Sequence, residues 1–352
     1  MERLISRADF NKRLLTVLGA LPFYSRTGPL SFVIPPIDLP TSPVENTKVF
    51  ERWGLVDVSS NGGPINHDVS IQDAHRLGAK VILSIDPDQR YLGKLVSEGF
   101  NVINRPYFEN NIYEGNTLNR SLEKYNSLPK SVHMIIELFK EPNSPSQNGG
   151  SFLEPEDFIS NRFIPAARGV IGRGGVALLS ALDQRAHLTT GVDEEDYFSA
   201  MLKEVKRYTP ELIPLEKLGI AMHAYFFAPG ENPWPRVEAF NELVRQILGQ
   251  RMPIFITEAG LYQNSQMNYT SQTVGRETIR ILDSFIPQNV DIKAFCHWIL
   301  ANKAQRPEDI NDREEDDLIK DLIEGFEFAA LRKVHGESEA YRLIEKHALG
   351  AA

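Results

Sequence analysis

The chain has 352 residues, of which 42% are hydrophobic and 24% charged, and its formal net charge is −9. This composition is typical of a globular protein with a sizeable core, and the negative charge argues against a nucleic-acid partner, since phosphate contacts need clustered lysine and arginine. Cys296 is the only cysteine, which excludes an intramolecular disulfide and argues against a cysteine-based zinc site.

The N-terminal segment, residues 1–27, places basic residues ahead of a short apolar run over 14–23. It resembles a degenerate twin-arginine export signal in which Ala8 replaces the second arginine, and no small-x-small cleavage site follows. The segment is therefore either an export signal of a periplasmic protein or a packing helix of a cytoplasmic one. No apolar run approaches the roughly 20 residues that a transmembrane helix needs. The residues that match the export pattern are Ser6, Arg7, Phe10 and Lys12.

From residue 28 onward, short aliphatic runs alternate with helical patterns. The runs are continuously apolar rather than alternating, which is typical of parallel strands covered by helices. Eight such units favour a single (β/α)8 TIM barrel over residues 28–352, an α/β fold, rather than an open doubly wound sheet. The first unit is the weakest, because prolines end its strand and the segment 38–69 is predicted to be irregular. The expected strands are 30–37, 80–86, 101–107, 133–139, 175–183, 218–226, 253–260 and 292–300.

Helical patterns fill the intervals between these strands. The clearest amphipathic helix is predicted over 194–208, and another over 236–249 ends at a glycine. The tail from about Asp316 is also predicted to be helical.

Reactive side chains gather at the C-terminal ends of the expected strands. The active site of a (β/α)8 barrel lies at that end, and the opposite ends carry no comparable set. This concentration of reactive side chains at one end of the strands therefore indicates an enzyme. These strand-end residues are Asp86, Asp88, Arg105, Tyr107, Lys140, Glu141, Asp183, His223, Tyr225, Glu258, His297 and Trp298.

Two carboxylates stand out among them, because Glu141 ends the fourth expected strand and Glu258 the seventh. Retaining glycoside hydrolysis uses a pair of carboxyl groups about 5–5.5 Å apart, one as proton donor and one as nucleophile. The chain has no His-x-His motif at a strand end, which argues against a metal site. We expect neither a metal nor another cofactor.

At these strand ends the chain resembles the clan A glycoside hydrolases, the 4/7 superfamily of barrel glycosidases, and most of all their families 5 and 39. The fourth strand of that group ends in Asn-Glu-Pro, the sixth often in His-x-Tyr and the seventh in Thr-Glu-small-Gly. This sequence reads "KEPN", "HAY" and "TEAG" at the matching places, with a tryptophan in the eighth strand. The resemblance covers strands four to eight, and it implies Glu141 as acid/base and Glu258 as nucleophile.

The resemblance also implies sugar-binding roles. Tyr225 would donate a hydrogen bond to the nucleophile, and Trp298 would be a flat platform for a sugar ring; packing is the alternative for both. His223 is either a substrate contact or a core histidine. Trp234 is either a second platform or a loop anchor. Arg105 either binds substrate or pairs with an acidic neighbour, Asp86 or Glu137.

Lys140 departs from the family pattern, which has asparagine at that position. It either donates to the sugar hydroxyl in place of asparagine, recognises an anionic sugar, or marks a barrel that has lost activity. An ammonium there also lowers the pKa of a neighbouring carboxyl group, whereas a general acid needs a pKa high enough to stay protonated. Adjacent strand residues point to opposite faces, so Lys140 would face outward unless the backbone is irregular.

The sequence thus predicts a retaining β-glycosidase that acts on an oligo- or polysaccharide. The first alternative is a catalytically inactive carbohydrate-binding barrel derived from such an enzyme. A barrel enzyme of other chemistry, such as a lyase or a metal-dependent hydrolase, is the second.

Overall fold

The computed structural model describes residues 47–57, 67–262, 269–301, 332–333 and 336–351. All of them belong to one compact unit that extends from Pro43 to Ala352. The N-terminal segment 1–27 and the expected strand 30–37 lie outside the described residues.

Eight parallel strands close into a barrel, which confirms the predicted fold. Each strand pairs with the next one along the chain, and the first also pairs with the eighth. Two two-residue strands, β9 and β10, follow β8 in the same sheet. The strands are β1 Trp53–Asp57, β2 Val81–Ile85, β3 Asn101–Arg105, β4 Ile135–Glu137, β5 Val176–Leu179, β6 Leu218–Phe226, β7 Ile254–Leu261, β8 Ile292–Ala301, β9 Arg332–Lys333 and β10 Gly336–Glu337.

Helices connect and cover the strands. A turn at Pro155–Asp157 and a π-helical segment at Phe158–Phe163 lead directly into α4. The predicted helical tail is helical over Glu339–Ala351 but wrong at 332–333 and 336–337, which pair as two short strands, and 302–331 lie outside the described part of the chain. No described helix is both long and apolar enough to span a membrane. The α-helices of nine or more residues are α1 His67–Arg76, α2 Gln89–Ser97, α3 Gly115–Glu123, α4 Ile164–Gly172, α5 Glu194–Tyr208, α6 Trp234–Leu248, α7 Ser271–Leu282 and α8 Glu339–Ala351.

The first barrel strand was predicted at the wrong place. β1 lies inside the segment that was expected to be irregular, and all five of its residues are buried. A Cβ added at Gly54 would lie 2.7 Å from the carbonyl oxygen of Val81 and 2.9 Å from Cys296 Sγ. Close contact between strands therefore requires glycine here, and this glycine interrupts the aliphatic pattern by which strands are recognised.

The barrel interior changes from apolar to polar toward the C-terminal ends of the strands. Residues two apart on a strand face the same side, so Ile103 in β3 is followed inside the barrel by Arg105. In β6, Ala221 is likewise followed by His223. The inward-facing apolar side chains form a cluster separate from the larger core between barrel and helices. The polar layer above that cluster is where the candidate site lies.

Candidate active site

The backbone after β4 turns both Lys140 and Glu141 toward the same cleft. The strand ends at Glu137, and Phe139 and Glu141 both have left-handed backbone angles, with φ of 65° and 46°. Such angles are rare for residues other than glycine and cluster at functional sites. Regular strand alternation is lost here, so consecutive side chains both line the cleft.

Two asparagine side chains hold this irregular backbone in place. Asn111 Nδ2 donates to the carbonyl oxygen of Lys140 at 2.6 Å, and Asn111 Oδ1 accepts from the Lys140 amide at 3.0 Å. Asn143 makes the same pair of bonds with the backbone of Asp183 after β5, both at 2.9 Å. The strained turn is therefore fixed to two neighbouring segments of the barrel.

A bulge in β7 positions Glu258. In the pairing with β6, Met222 lies opposite Ile256 but His223 lies opposite Glu258, so β7 contains one extra residue, Thr257. Thr257 and Glu258 therefore both point into the barrel. The Thr257 hydroxyl donates to a Glu137 oxygen at 3.1 Å.

Glu258 is almost fully buried, with 1% of its surface exposed, and three donors or cations surround it. Arg105 Nη1 donates to Oε1 at 2.5 Å, and the Tyr225 hydroxyl donates to Oε2 at 2.8 Å. Lys140 Nζ lies 3.6 Å from Oε1. Burial alone would raise the pKa of Glu258, but the neighbouring His223, Lys140 and Arg105 hold it far below its ordinary value. Glu258 is thus an ionised carboxylate.

Arg105 lies beneath the cleft, where it joins two buried carboxylates. Its Nε and Nη2 donate to Glu137 at 3.0 and 3.1 Å, while Nη1 binds Glu258. Burial would lower the pKa of Arg105, yet the two carboxylates raise it instead. The pairing with Glu137 is therefore correct, whereas substrate binding by Arg105 is not supported, because its side chain is only 4% exposed and already occupied.

Glu141 and Glu258 present carboxylate oxygens within 4.8 Å of each other, with His223 between them. His223 Nδ1 lies 3.0 Å from Glu141 Oε1, and its Nε2 lies 3.5 Å from Glu258 Oε1. Burial would raise the pKa of Glu141, but Lys140 and then His223 lower it below its usual range. Lys140, for its part, has a raised pKa: the carboxylates Glu258 and Glu141 outweigh the opposing effect of burial.

These side chains line a cleft of about 220 Å³. One wall is aromatic: the rings of Tyr225 and Tyr262 lie 5.7 Å apart, and Phe227 lies 5.3 Å from Tyr262. Gln184 fixes Tyr225 by exchanging two hydrogen bonds with its backbone, at 2.8 and 3.3 Å. The guanidinium of Arg185 stands 4.2 Å from the centre of the Tyr262 ring. The cleft is lined by Lys140, Glu141, Ser146, Gln147, Asp183, Gln184, Arg185, His223, Tyr225, Phe227, Glu258, Tyr262 and Trp298.

No family model matches the chain, and no curated protein matches its sequence. Its fold is similar to that of solved glycoside hydrolases. A glucosidase from Croceicoccus marinus has a TM-score of 0.56 at 11% identity over 87% of this chain and 68% of the other. A GH39 enzyme from Xanthomonas axonopodis pv. citri has a TM-score of 0.54 at 10% identity over the same shares. A GH128 (subgroup II) endo-beta-1,3-glucanase from Sorangium cellulosum has a TM-score of 0.50 at 13% identity, over 82% and 97%.

The chain has the TIM-barrel fold that these solved structures share. At 10–13% identity, these likenesses establish the fold and leave the activity to be argued from the site.

The two candidate tryptophan platforms lie in different surroundings. Trp298 lines the cleft, and Lys140 Nζ stands 4.9 Å from the centre of its ring. Trp234 is 6% exposed, donates its indole N–H to Ser284 Oγ at 3.1 Å and packs 6.0 Å from Phe295. Trp234 therefore anchors a loop, the second of the two alternatives. Its ring is buried and is not part of the cleft lining, so the structure does not support a sugar-binding platform at this residue.

Several other strand-end residues serve the scaffold. Asp86 accepts from Lys124 Nζ at 2.6 Å, and Asp88 caps α2 by accepting from the Tyr91 amide at 2.7 Å. His297 is 2% exposed and faces the core between barrel and helices, with its ring 5.8 Å from that of Trp53, and burial lowers its pKa to about 4. Tyr107 is 60% exposed, outside the cleft lining.

Sequence reasoning missed the Gln184–Arg185 and Phe227–Tyr262 part of the cleft. These residues lie in loops after β5, β6 and β7, which match no motif. The one available signal was the strand-end Asp183, whose loop continues into Gln184 and Arg185.

The residues that could hold a metal ion are Glu141, His223 and Glu258, the one such group found among the described residues. Glu258 already faces the cations of Arg105 and Lys140. A divalent cation at this place would be repelled by both of them at short range. The donor set therefore fits a proton-transferring carboxylate pair better than a metal centre.

Proposed function

We propose that the protein is a retaining β-glycoside hydrolase that cleaves an oligo- or polysaccharide. The observation that carries this proposal is the carboxylate pair at the cleft, with oxygens of Glu141 and Glu258 within 4.8 Å of each other. Retaining enzymes hold the two groups about 5–5.5 Å apart, whereas inverting enzymes need a wider gap for a water molecule.

Glu258 is suited to be the nucleophile. It is ionised at any ordinary pH, and its oxygens are oriented by Arg105 and Tyr225. Attack on the anomeric carbon forms a glycosyl ester and releases the leaving group, which takes a proton from Glu141. Water then attacks the ester while Glu141 accepts its proton, and Glu258 is released as a carboxylate.

The interaction between the two carboxylates supports this exchange of roles. Lys140 and His223 lower the pKa of Glu141 on balance, and among its charged neighbours Glu258 opposes that lowering. Once Glu258 is esterified, that charge is gone and the pKa of Glu141 falls. Glu141 is therefore more often protonated, as a general acid must be, in the first step, and more fully ionised, as a base must be, in the second.

Lys140 supports the second candidate function, a carbohydrate-binding barrel without activity. Its ammonium stands 3.6 Å from the proposed nucleophile, at a position where the resembling enzymes have asparagine. A cation there stabilises the ionised ground state of Glu258 and so lowers its nucleophilicity.

Turnover and trapping decide between the two functions. The wild type, assayed on a panel of aryl β-glycosides, should release product with the β configuration retained, as followed by NMR of the anomeric proton. A 2-deoxy-2-fluoro glycoside should leave a sugar attached to the peptide that contains Glu258, detected by mass spectrometry. The Glu258→Gln variant is the control and should show neither result. Sugar binding without turnover or trapping on any substrate would favour the inactive barrel.

A further inference from the structure

The ammonium of Lys140 lines the cleft, and it makes no hydrogen bond to a residue that the structure describes. Its side chain is 29% exposed, and its nearest carboxylate oxygen, on Glu258, is at 3.6 Å, too far for a hydrogen bond. Among the residues that the structure describes, Lys140 Nζ has no hydrogen-bond acceptor. It is held by charge and by the ring of Trp298, so its three N–H groups are available to a ligand.

Arg185 adds a second available cation to the same cleft. Its guanidinium lies over the Tyr262 ring at 4.2 Å and makes no ion pair or side-chain hydrogen bond with a described residue. The neighbouring Asp183 accepts the backbone N–H of Arg185 and the hydroxyl of Ser144 rather than the guanidinium. A planar guanidinium with its donors free matches the two-oxygen edge of a carboxylate or a sulfate.

We propose that the cleft recognises a glycan that carries an anionic group, a carboxylate or a sulfate ester, beside the bond to be cleaved, and that Lys140 and Arg185 bind this group. The inference rests on the proposed function, because it names the substrate class of the same site. It is tested through binding, which does not require hydrolysis.

Because Lys140 already interacts with Glu258 and with the ring of Trp298, the cleft should bind an anionic sugar more favourably than a neutral one. A neutral sugar that stacks on Trp298 disturbs the ammonium beside that ring and offers it no counter-charge. An anionic sugar supplies one, and it draws Lys140 away from Glu258. Glu258 then loses one of its neighbouring cations and becomes a stronger nucleophile only when the correct substrate is bound.

The overall charge of the protein makes unspecific attraction of polyanions a poor alternative. The formal net charge is −9, so a negatively charged glycan is repelled by the molecule as a whole. Glu141, Asp183 and Glu258 add negative charge within the cleft itself. Binding of an anionic glycan would therefore require the local contacts of Lys140 and Arg185.

Matched pairs of oligosaccharides test the proposal by isothermal titration calorimetry at a fixed salt concentration. One pair is a short oligouronide and its carboxyl-reduced neutral counterpart; the other is a sulfated oligosaccharide and its desulfated counterpart. In at least one pair the wild type should bind the anionic member about tenfold more tightly. The pair that shows the preference identifies the group as carboxylate or sulfate.

Variants that lack a positive charge show which side chains bind the anionic group. Lys140→Met and Arg185→Gln should each abolish most of the preference, whereas Arg185→Lys should keep part of it. Lys203→Met and Arg245→Gln are matched controls on the outer helices α5 and α6, and both should bind like the wild type. Thermal unfolding of each variant checks that it is folded.

Two outcomes would overturn the inference: equal affinity for both members of each pair, or a preference that survives in Lys140→Met and Arg185→Gln. If neutral oligosaccharides are bound and cleaved equally well, the inference fails and the proposed function stands. If the anionic member is preferred through Lys140 and Arg185 but no glycan is cleaved or trapped, the inference stands and the proposed function fails.

Discussion

Arg105 in β3 donates a hydrogen bond of 2.5 Å to Glu258 in β7, across the interior of the barrel. The same guanidinium binds both oxygens of Glu137, which is fully buried. One guanidinium thus bonds to two buried carboxyl groups, and its single positive charge is shared between them. The candidate nucleophile is positioned by a charge network that also stabilises the fold.

Arg105→Met should destabilise the protein by about 3–5 kcal/mol, because it leaves buried carboxylates without their cation. Urea unfolding at pH 7 measures the loss. Arg105→Met combined with Glu137→Gln should recover part of it, since one of the two unpaired charges is then removed. Arg245→Gln, which breaks an exposed pair with Glu242, is the control and should leave the unfolding free energy close to that of the wild type, because exposed ion pairs contribute little. A loss as small as the control's would contradict the network.

His297 should make the protein less stable in mild acid. Its pKa is about 4 in the folded protein against an ordinary 6.5, so between these values the unfolded chain binds a proton that the folded one does not. This contribution destabilises the fold as pH falls below 6.5 and reaches about 3 kcal/mol near pH 4. Above pH 6.5 it is absent.

His297→Leu removes the ionisable ring, so the unfolding free energy of the variant should depend less on pH between 6.5 and 4. The difference in unfolding free energy between wild type and variant should be constant from pH 7 to 8 and change between pH 6.5 and 4. Urea unfolding across this range measures it. The exposed His133, changed to Gln, is the control and should leave the curve of the wild type unaltered. A constant difference at all pH values would contradict the shifted pKa of His297.

The sequence predicted regular elements well where the apolar pattern is long. β6 and α5 lie at their predicted limits, 218–226 and 194–208, because a nine-residue apolar run and a fifteen-residue amphipathic pattern are long enough to identify them. β1 has only five residues and contains Gly54, so neither length nor pattern distinguishes it from a loop. Its assignment depends on pairing with β2 and β8, which are distant in sequence.

For the site, the strand-end motifs located Glu141 and Glu258 together with the neighbouring His223, Tyr225 and Trp298, but they did not predict the loop geometry around them. The orientation of Lys140 depends on left-handed backbone angles at Phe139 and Glu141, which Asn111 helps to hold from another loop. No local pattern predicts such angles for a phenylalanine and a glutamate. Arg185 lies in a connecting loop, and its place beside Tyr262 arises only from the closed barrel.

Lys140→Asn should shift the pH dependence of hydrolysis upward. The ammonium lowers the pKa of Glu141, so in the wild type the protonated acid is lost as pH rises through a low value. Activity toward natural leaving groups is then expected to be highest in acid. Removal of the ammonium should move the alkaline limb of kcat/KM up by about one pH unit.

The same variant should increase turnover of neutral glycosides by roughly tenfold, because Glu258 loses a stabilising cation. Steady-state kinetics from pH 3 to 9 measures both effects, with Lys203→Asn as a control on an outer helix. An alkaline limb that does not move would refute the link between Lys140 and Glu141. Activity that appears in Lys140→Asn but is absent from the wild type on neutral and anionic substrates alike would establish the inactive barrel.

Removal of each of the two carboxylates should reduce activity in a different way. Glu258→Ala should abolish hydrolysis of every substrate, because no covalent intermediate forms. Glu141→Ala should depend on the leaving group. An activated aryl glycoside needs little protonation, so its first step should survive, whereas a natural sugar leaving group should be released very slowly.

In Glu141→Ala the second step lacks its base, so the glycosyl-enzyme should accumulate. Pre-steady-state kinetics with the activated substrate should show a burst of product followed by slow turnover. Azide needs no deprotonation, and it should restore turnover by attacking the anomeric carbon to give a β-glycosyl azide, identified by NMR of its anomeric proton. In Glu258→Ala azide would attack from the opposite face and give the α-azide instead. Equal losses in both variants on activated and natural substrates, without rescue by azide, would show that the roles are wrongly assigned; full activity in either variant would exclude the two-carboxylate mechanism.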